Sequence, residues 1–429
     1  MEKIRKPMMN SFFLLSLICI LGRFTYAFWQ DNVNVPYIKS VLLFPDNGKV
    51  QAQLLPPIVP LVQTIPLVLH FDDLSDEYEN YFVKIINCTH DWKTSGLPDM
   101  DFLKDYNEFP INQFAYSSNT YIKYIHYTFY VPKVKISGNF VLYVYKESEP
   151  TIPLITKRFI VYENLVDVNL TIFFSSNVEQ RFTHQQVDAV VRYTNFNIIN
   201  PGDIHFYIRQ NYRWDNMKYL TPLFVLENQK ELDYRYFRGE NTFLGLNEYR
   251  QFDLRSLRYS GYGVENRKIN TNVPEVKLQL DKTRFHLPYE SYPDLNGSFF
   301  IFRNETGNGF TDGDYVNVTF SLKNEFNEVK NVYLFGALTN WLILDSYKLN
   351  YNKELDEYRV TVLLKQGFYN YSYVTVEKNK LHEVEWEGSY SSTENVYEGI
   401  VYYRGFGSRY DRVLGYTQKS TGQNLRFNR

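Results

Sequence analysis

Short runs of alternating apolar and polar residues dominate this chain. Between residues 35 and 146, VPYIKSVLLF, IPLVLHFDDL, YENYFVKIINCTH, TYIKYIHYTFYVP and GNFVLYVYK each read as a strand. In the fourth run, Tyr121, Lys123, Ile125, Tyr127 and Phe129 fall on one face, and Ile122, Tyr124, His126, Thr128 and Tyr130 on the other. Pro132 and Ser137-Gly138-Asn139 predict a hairpin joining that run to the next. Further on, LVDVNLTIFF, HQQVDAVVRY and PGDIHFYIRQN read as strands, with Asn200-Pro201-Gly202-Asp203 as a turn. A last group comprises DYVNVTFSL, NVYLFGAL, EYRVTVLL, GFYNYSYVTV and YEGIVYYR. This spacing predicts an all-β chain of tandem immunoglobulin-like β-sandwich domains. The expected domains are 28–163, 164–285 and 315–418, with a loop-rich connection at 286–314 and a polar tail at 419–429.

The amino terminus follows another pattern. Lys3, Arg5 and Lys6 precede the apolar run Ser11 to Leu21, and Thr25 and Ala27 supply small residues. That is the layout of a secretory signal peptide cut after Ala27. The run is shorter than the roughly 20 residues a membrane-spanning helix needs. The segment 54–69 is also apolar, but Pro56, Pro57, Pro60 and Pro66 argue for strands broken by turns.

Composition sharpens this picture. With 38 Tyr and 33 Phe against 5 Met, the chain suits sheets, where rings pack across strands. Cys19 lies in the signal and Cys88 beyond it, so no disulfide forms within the exported chain, and stability must come from the sandwich cores. Loss of Lys3, Arg5, Lys6, Arg23 and Glu2 with the signal takes the formal charge from −2 to about −5. That balance gives no support to a general nucleic-acid binder.

Motifs for catalysis are sparse. The seven histidines are scattered, and no metal-protease, nucleophile-elbow, P-loop or dinucleotide fingerprint occurs. Cys88 and His90 alternate onto one face of a strand end, best read as a buried free thiol. Asp312-Gly313-Asp314 is explained more simply by a hairpin turn than by calcium. No cofactor and no catalytic residue is assigned. LFGALTNW, ending at Trp341, resembles the start of starch-binding-type modules, and this supports an alternative reading as a carbohydrate-binding module with an aromatic platform near Trp341.

Four stretches carry a wider resemblance. They are INCTHDWKTS at 86–95 with the strands after it, PGDIHFYIRQNYRWDN at 201–216, RGENTFLGLNEYRQFDLRSLRY at 238–259, and EGSYSSTENVYEGIVYYRGFGSRYDRVLGY at 387–416. From about residue 30 to 418 the chain resembles the type IX secretion system plug family of Bacteroidota. The resemblance implies a non-enzymatic periplasmic protein on the inner side of the outer membrane. It would close the periplasmic opening of the large outer-membrane β-barrel translocon, its partner, without itself spanning the membrane. The family supplies no contact residues to carry over. Aromatic and arginine side chains dominate interface hot spots. On that ground the expected translocon contacts are Tyr212, Arg213 and Trp214; Tyr234, Arg235, Tyr236 and Arg238; and Arg404, Arg409, Tyr410 and Arg412.

Overall fold

The computed structural model describes residues 28–75, 77–326 and 328–422; the expected signal peptide lies outside them. Among the described residues six sheets pair into three sandwiches, each closed over its own apolar core. The chain is all-β, as the alternation predicts.

In the first sandwich, Ile38–Pro45, Leu67–Asp73, Ile125–Tyr130 and Gln113–Tyr116 form one sheet. Tyr81–Cys88, Gly138–Lys146 and Ile155–Tyr162 make the centre of the other. Inward residues such as Phe71, Val83, Tyr127 and Leu142 fill the core between them. The hairpin expected at Pro132 is not formed. Ile125–Tyr130 pairs with Leu67–Asp73, whereas Gly138–Lys146 pairs with Tyr81–Cys88 in the opposite sheet. The segment 132–137 therefore crosses between sheets. Residues 120–124 are not strand.

After residue 163 the sheets divide the chain differently from the expected 164–285 and 315–418. The second sandwich takes Asp167–Phe174, His184–Arg192 and Ile204–Gln210, and then draws in Val396–Tyr403 and Arg412–Ser420 from the far end. The third sandwich starts with Arg250–Asp253, which pairs with Gly367–Glu377. Phe299–Ile301, in the expected connection, pairs with the same strand. Lys419 and Ser420, in the expected polar tail, continue an antiparallel ladder with Tyr397 and Val396. The reason is burial. Val396–Tyr403 is buried on both faces, so it can only be a central strand between two covered surfaces.

Those two surfaces join the sandwiches. One face of Val396–Tyr403 contributes Tyr397 and Val401 to the second core. The other contributes Ile400 and Tyr402 to a seam with Cys88, Val141 and Ile160 of the first sandwich. Tyr402 donates from its hydroxyl to Asn139 Oδ1 at 2.9 Å across it. The opposite sheet of the first sandwich packs on the third, with Leu42 and Phe44 entering the third core.

A charged cluster lies in that second seam. Asp72 accepts from His126 Nδ1 at 2.7 Å, from Lys365 Nζ at 2.6 Å and from the Tyr315 hydroxyl at 2.6 Å. His70 shares a hydrogen bond of 3.1 Å with His126 and stacks on Phe310 at 4.3 Å. Burial, reinforced by His126, drives the His70 imidazole down to about 3. Its conjugate acid forms near pH 6.5 in the unfolded chain. Between those values only the unfolded state takes up the proton, so stability is full above pH 6.5 and is lost as pH falls toward 3. His70 alone should cost about 2 kcal/mol at pH 5. Denaturant unfolding at pH 7 and pH 5 checks this; equal midpoints would contradict it.

Candidate docking surface

The candidate contact residues separate into an inner set and an outer set. Asn211 and Tyr212 have positive φ, 54° and 60°, which turns the chain sharply after Ile204–Gln210. The turn throws Arg213 and Trp214 back into the seams. Arg213 is buried, pairs with Asp215 at 2.5 Å and Glu383 at 2.6 Å, and lies 4.5 Å above the Trp341 ring. The Trp214 ring takes the guanidinium groups of Arg209 at 3.8 Å and Arg158 at 4.6 Å, and meets Trp92 edge-on at 4.8 Å. Tyr212 reaches Gln418 at 3.4 Å. The expected contact role for Arg213 and Trp214 is thus corrected. Their side chains hold the sandwiches to one another, because a guanidinium and an indole stack more favourably when both are withdrawn from water.

Trp341 joins the same network. It meets Phe335 at 5.3 Å and Tyr249 at 5.9 Å, both nearly edge-on and both buried. With Arg213 across its face, the ring is occupied within the protein. The flat two-ring platform that a glycan would stack on is not formed around it.

The outer set sits on loops of the second sandwich. In 234–238, Tyr234 and Tyr236 point into the core, while Arg235 and Arg238 are exposed with Phe237 between them. Arg235 grips Asp233 through several hydrogen bonds. Gln186 Nε2 donates to Tyr236 O at 2.8 Å and anchors the loop. Gly239 approaches Gln180 in the neighbouring loop 175–183, which presents Val178 and Phe182. Val178, Phe182 and Phe237 are each about four-fifths exposed (80%, 79% and 79%), and Phe237 stands in sequence between the exposed Arg235 and Arg238. Apolar side chains held out in a group mark interaction surfaces.

The loop 404–412 lies at the other end of this sandwich. Ser391 N donates to Phe182 O at the first end, whereas Phe196 packs on Tyr403 at the second. Arg404 pairs with Asp411 at 2.7 Å and Arg412 with Glu163 at 2.7 Å, so both are committed within the protein. Tyr410 is half-buried. Arg409 is exposed and pairs with Asp101 of the first sandwich. Phe406 is fully exposed at the tip. Sequence reasoning missed Phe406, Phe237, Val178 and Phe182. A signal existed for Phe406: an aromatic flanked by Gly405 and Gly407, the latter at φ 79°, sits on a turn with no strand to bury it.

Other motifs resolve into structure. Cys88 is free and buried, and burial pushes its thiol well above the ordinary range. His90 stacks on His205 at 3.9 Å and bonds the Tyr207 hydroxyl at 2.7 Å, in the seam between the first and second sandwiches. Asp312 ends a one-turn helix, Gly309–Asp312, instead of lying in a hairpin turn, and Asp314 accepts from Tyr121 N at 2.9 Å. Among the described residues no group of three or more His, Cys, Asp or Glu is placed to hold a metal. Nor, among them, is any helix long and apolar enough to cross a membrane.

Comparison with known proteins fits this architecture. Residues 38–163 match the model of the type 9 secretion system plug protein 1st domain. That match ends where the second sandwich begins. A crystal structure of a hypothetical protein from Parabacteroides merdae ATCC 43184 is similar over 92% of this chain and 100% of its own, at 30% identity and a TM-score of 0.86. No curated protein matches the chain. The first-domain match assigns residues 38–163 to the type 9 secretion system plug protein 1st domain, and the second and third sandwiches follow it in the same chain.

Proposed function

We propose that this protein is a non-enzymatic periplasmic plug. It binds the periplasmic opening of the giant outer-membrane β-barrel translocon of the type IX secretion system and closes it from the inner side of the outer membrane. The first-domain match supports the secretion-associated role. The observation that carries the finer reading is the fusion of three sandwiches through buried seams. Domains in one chain move relative to each other unless the interface is large and apolar. Here the seams bury aromatic rings, ion pairs and whole strand faces, so the body resists deformation when pressed against a pore mouth.

The surface that seats on the barrel is the cluster of Val178, Phe182 and Phe237 with Arg235 and Arg238. Exposed aromatics beside arginines are the composition of interface hot spots. The double variant Arg235→Glu/Arg238→Glu should keep its fold, checked by an unchanged circular dichroism spectrum, because both side chains stand on an exposed loop and Asp233 keeps the backbone N–H of residue 235 as a partner. It should recover the barrel roughly tenfold less well in co-purification, since like-charge placement at an interface costs several kcal/mol. Unchanged recovery would remove this patch from the interface.

A further inference from the structure

A cavity of about 300 Å³ opens between the first and third sandwiches, away from the loops above. Its walls are the segment Val33–Val41, the loop around 337–347 and the strand end Leu363–Lys365. Its size is at the lower end for small-molecule sites.

The way Lys39 reaches it is built into the fold. The ladder between Ile38–Pro45 and Leu67–Asp73 gains one extra residue between Lys39 and Leu42. Ser40 takes the positive φ of 52° that this bulge requires, and its hydroxyl bonds that of Tyr315 at 2.8 Å. Bulges recur where a side chain must be re-aimed. Lys39 is half-buried in the cavity wall and, among the described residues, makes no ion pair. Burial depresses its amine. The second lysine in the wall, Lys365, is already neutralised by Asp72.

The remaining chemistry of the cavity points the same way. Among the described residues no Asp or Glu lines it. Asn340 uses its Oδ1 to accept from Lys157 Nζ at 2.6 Å, which leaves its amide nitrogen as a donor. Tyr347 offers a hydroxyl that burial pushes up to about 12, so it stays a donor at neutral pH. Apolar side chains, among them Val35, Leu338 and Leu344, make up the rest. One cation with neutral donors matches a single negative charge; a phosphate group would call for forked arginines or a nest of backbone amides.

We infer that this cavity binds a carboxylate carried on a short apolar body, with the carboxylate on Lys39 and the body against Val35, Leu338 and Leu344. Two sources share that chemistry: a free medium-chain carboxylic acid and the carboxy-terminal residue of an extended peptide.

Calorimetric titration of the exported chain with octanoate, octylamine, and a leucine-ended tripeptide in free and amidated forms tests this. Octanoate or the free-acid tripeptide should bind, with octylamine and the amide at least roughly tenfold weaker. Whichever of the two carboxylates binds identifies the source. Lys39→Ala should abolish that binding while the unfolding midpoint stays unchanged, and Lys39→Arg should retain part of it. If Lys39→Ala proves unfolded, Leu344→Trp, which fills the cavity from the third sandwich, should block the same carboxylate. Binding of neither carboxylate would overturn the inference. So would equal binding of octylamine, or binding that survives both Lys39→Ala and Leu344→Trp.

Discussion

Replacing Glu398 with alanine should destabilise the protein by about 3–5 kcal/mol. Glu398 lies mid-strand in Val396–Tyr403, opposite Arg209 of Ile204–Gln210. The pair is bidentate, at 2.5 and 3.1 Å, and both side chains are 0% exposed. The Tyr416 hydroxyl donates to the same carboxylate at 2.6 Å, and Trp214 covers the guanidinium at 3.8 Å. Without Glu398 the Arg209 charge stays buried with no counter-charge, and that desolvation is the origin of the loss. Trp92 and Trp214 sit in this seam, so tryptophan fluorescence during denaturant unfolding reports it directly. The double variant Arg209→Met/Glu398→Met should recover most of the loss, because apolar side chains of similar volume can replace a buried pair at little net cost. A midpoint unchanged by Glu398→Ala would mean that water reaches this seam.

Asp72→Ala should have an effect of the same order in the other seam, again about 3–5 kcal/mol. Burial would raise the Asp72 carboxyl, but Lys365 and His126 outweigh it and hold it below the usual carboxylate range. The ammonium of Lys365 is 1% exposed; besides Asp72 it has the Phe310 carbonyl at 2.6 Å and the Tyr124 ring at 4.0 Å. Removing the carboxylate strands this cation between two sandwiches. Hydrogen exchange should therefore speed up in Leu67–Asp73 and Tyr315–Lys323, which meet at the cluster, more than in the core of the second sandwich. Asp72→Ala/Lys365→Met should restore protection. If the single variant left exchange uniform along the chain, the seam would owe little to this cluster.

The two ion pairs also show what could be read in the sequence. Strand positions were legible, because alternation reports faces; Gly138–Lys146 coincides with its predicted run. Pairing was not, because alternation carries no information about which strand lies alongside. YEGIVYYR reads as a fifth strand of the third domain, yet it pairs with IHFYIRQ nearly two hundred residues earlier. A hint was present in the charges. Glu398 and Arg209 each stand inside otherwise apolar strands, and a charge so placed needs a buried partner of opposite sign. Gly399 is a second hint: Phe206, Val168 and Leu170 crowd the place where a Cβ would stand, as a strand covered on both faces requires.

The contact residues were less legible for a related reason. Tyr and Arg serve seams inside the protein as readily as interfaces outside it, since stacking and forked hydrogen bonds suit both. Arg213 and Arg235 are indistinguishable by type and neighbours in the sequence. One lies buried over the Trp341 ring and the other on a loop with half its side chain in water. What separates them is tertiary: the positive-φ turn at Asn211-Tyr212 sends the first inward.

Affinity purification of the exported chain from detergent-solubilised outer membranes tests the plug reading most directly. A very large β-barrel translocon should be recovered with it in near-equal amounts. Recovery of the chain alone, with the barrel left in the unbound fraction, would contradict that reading.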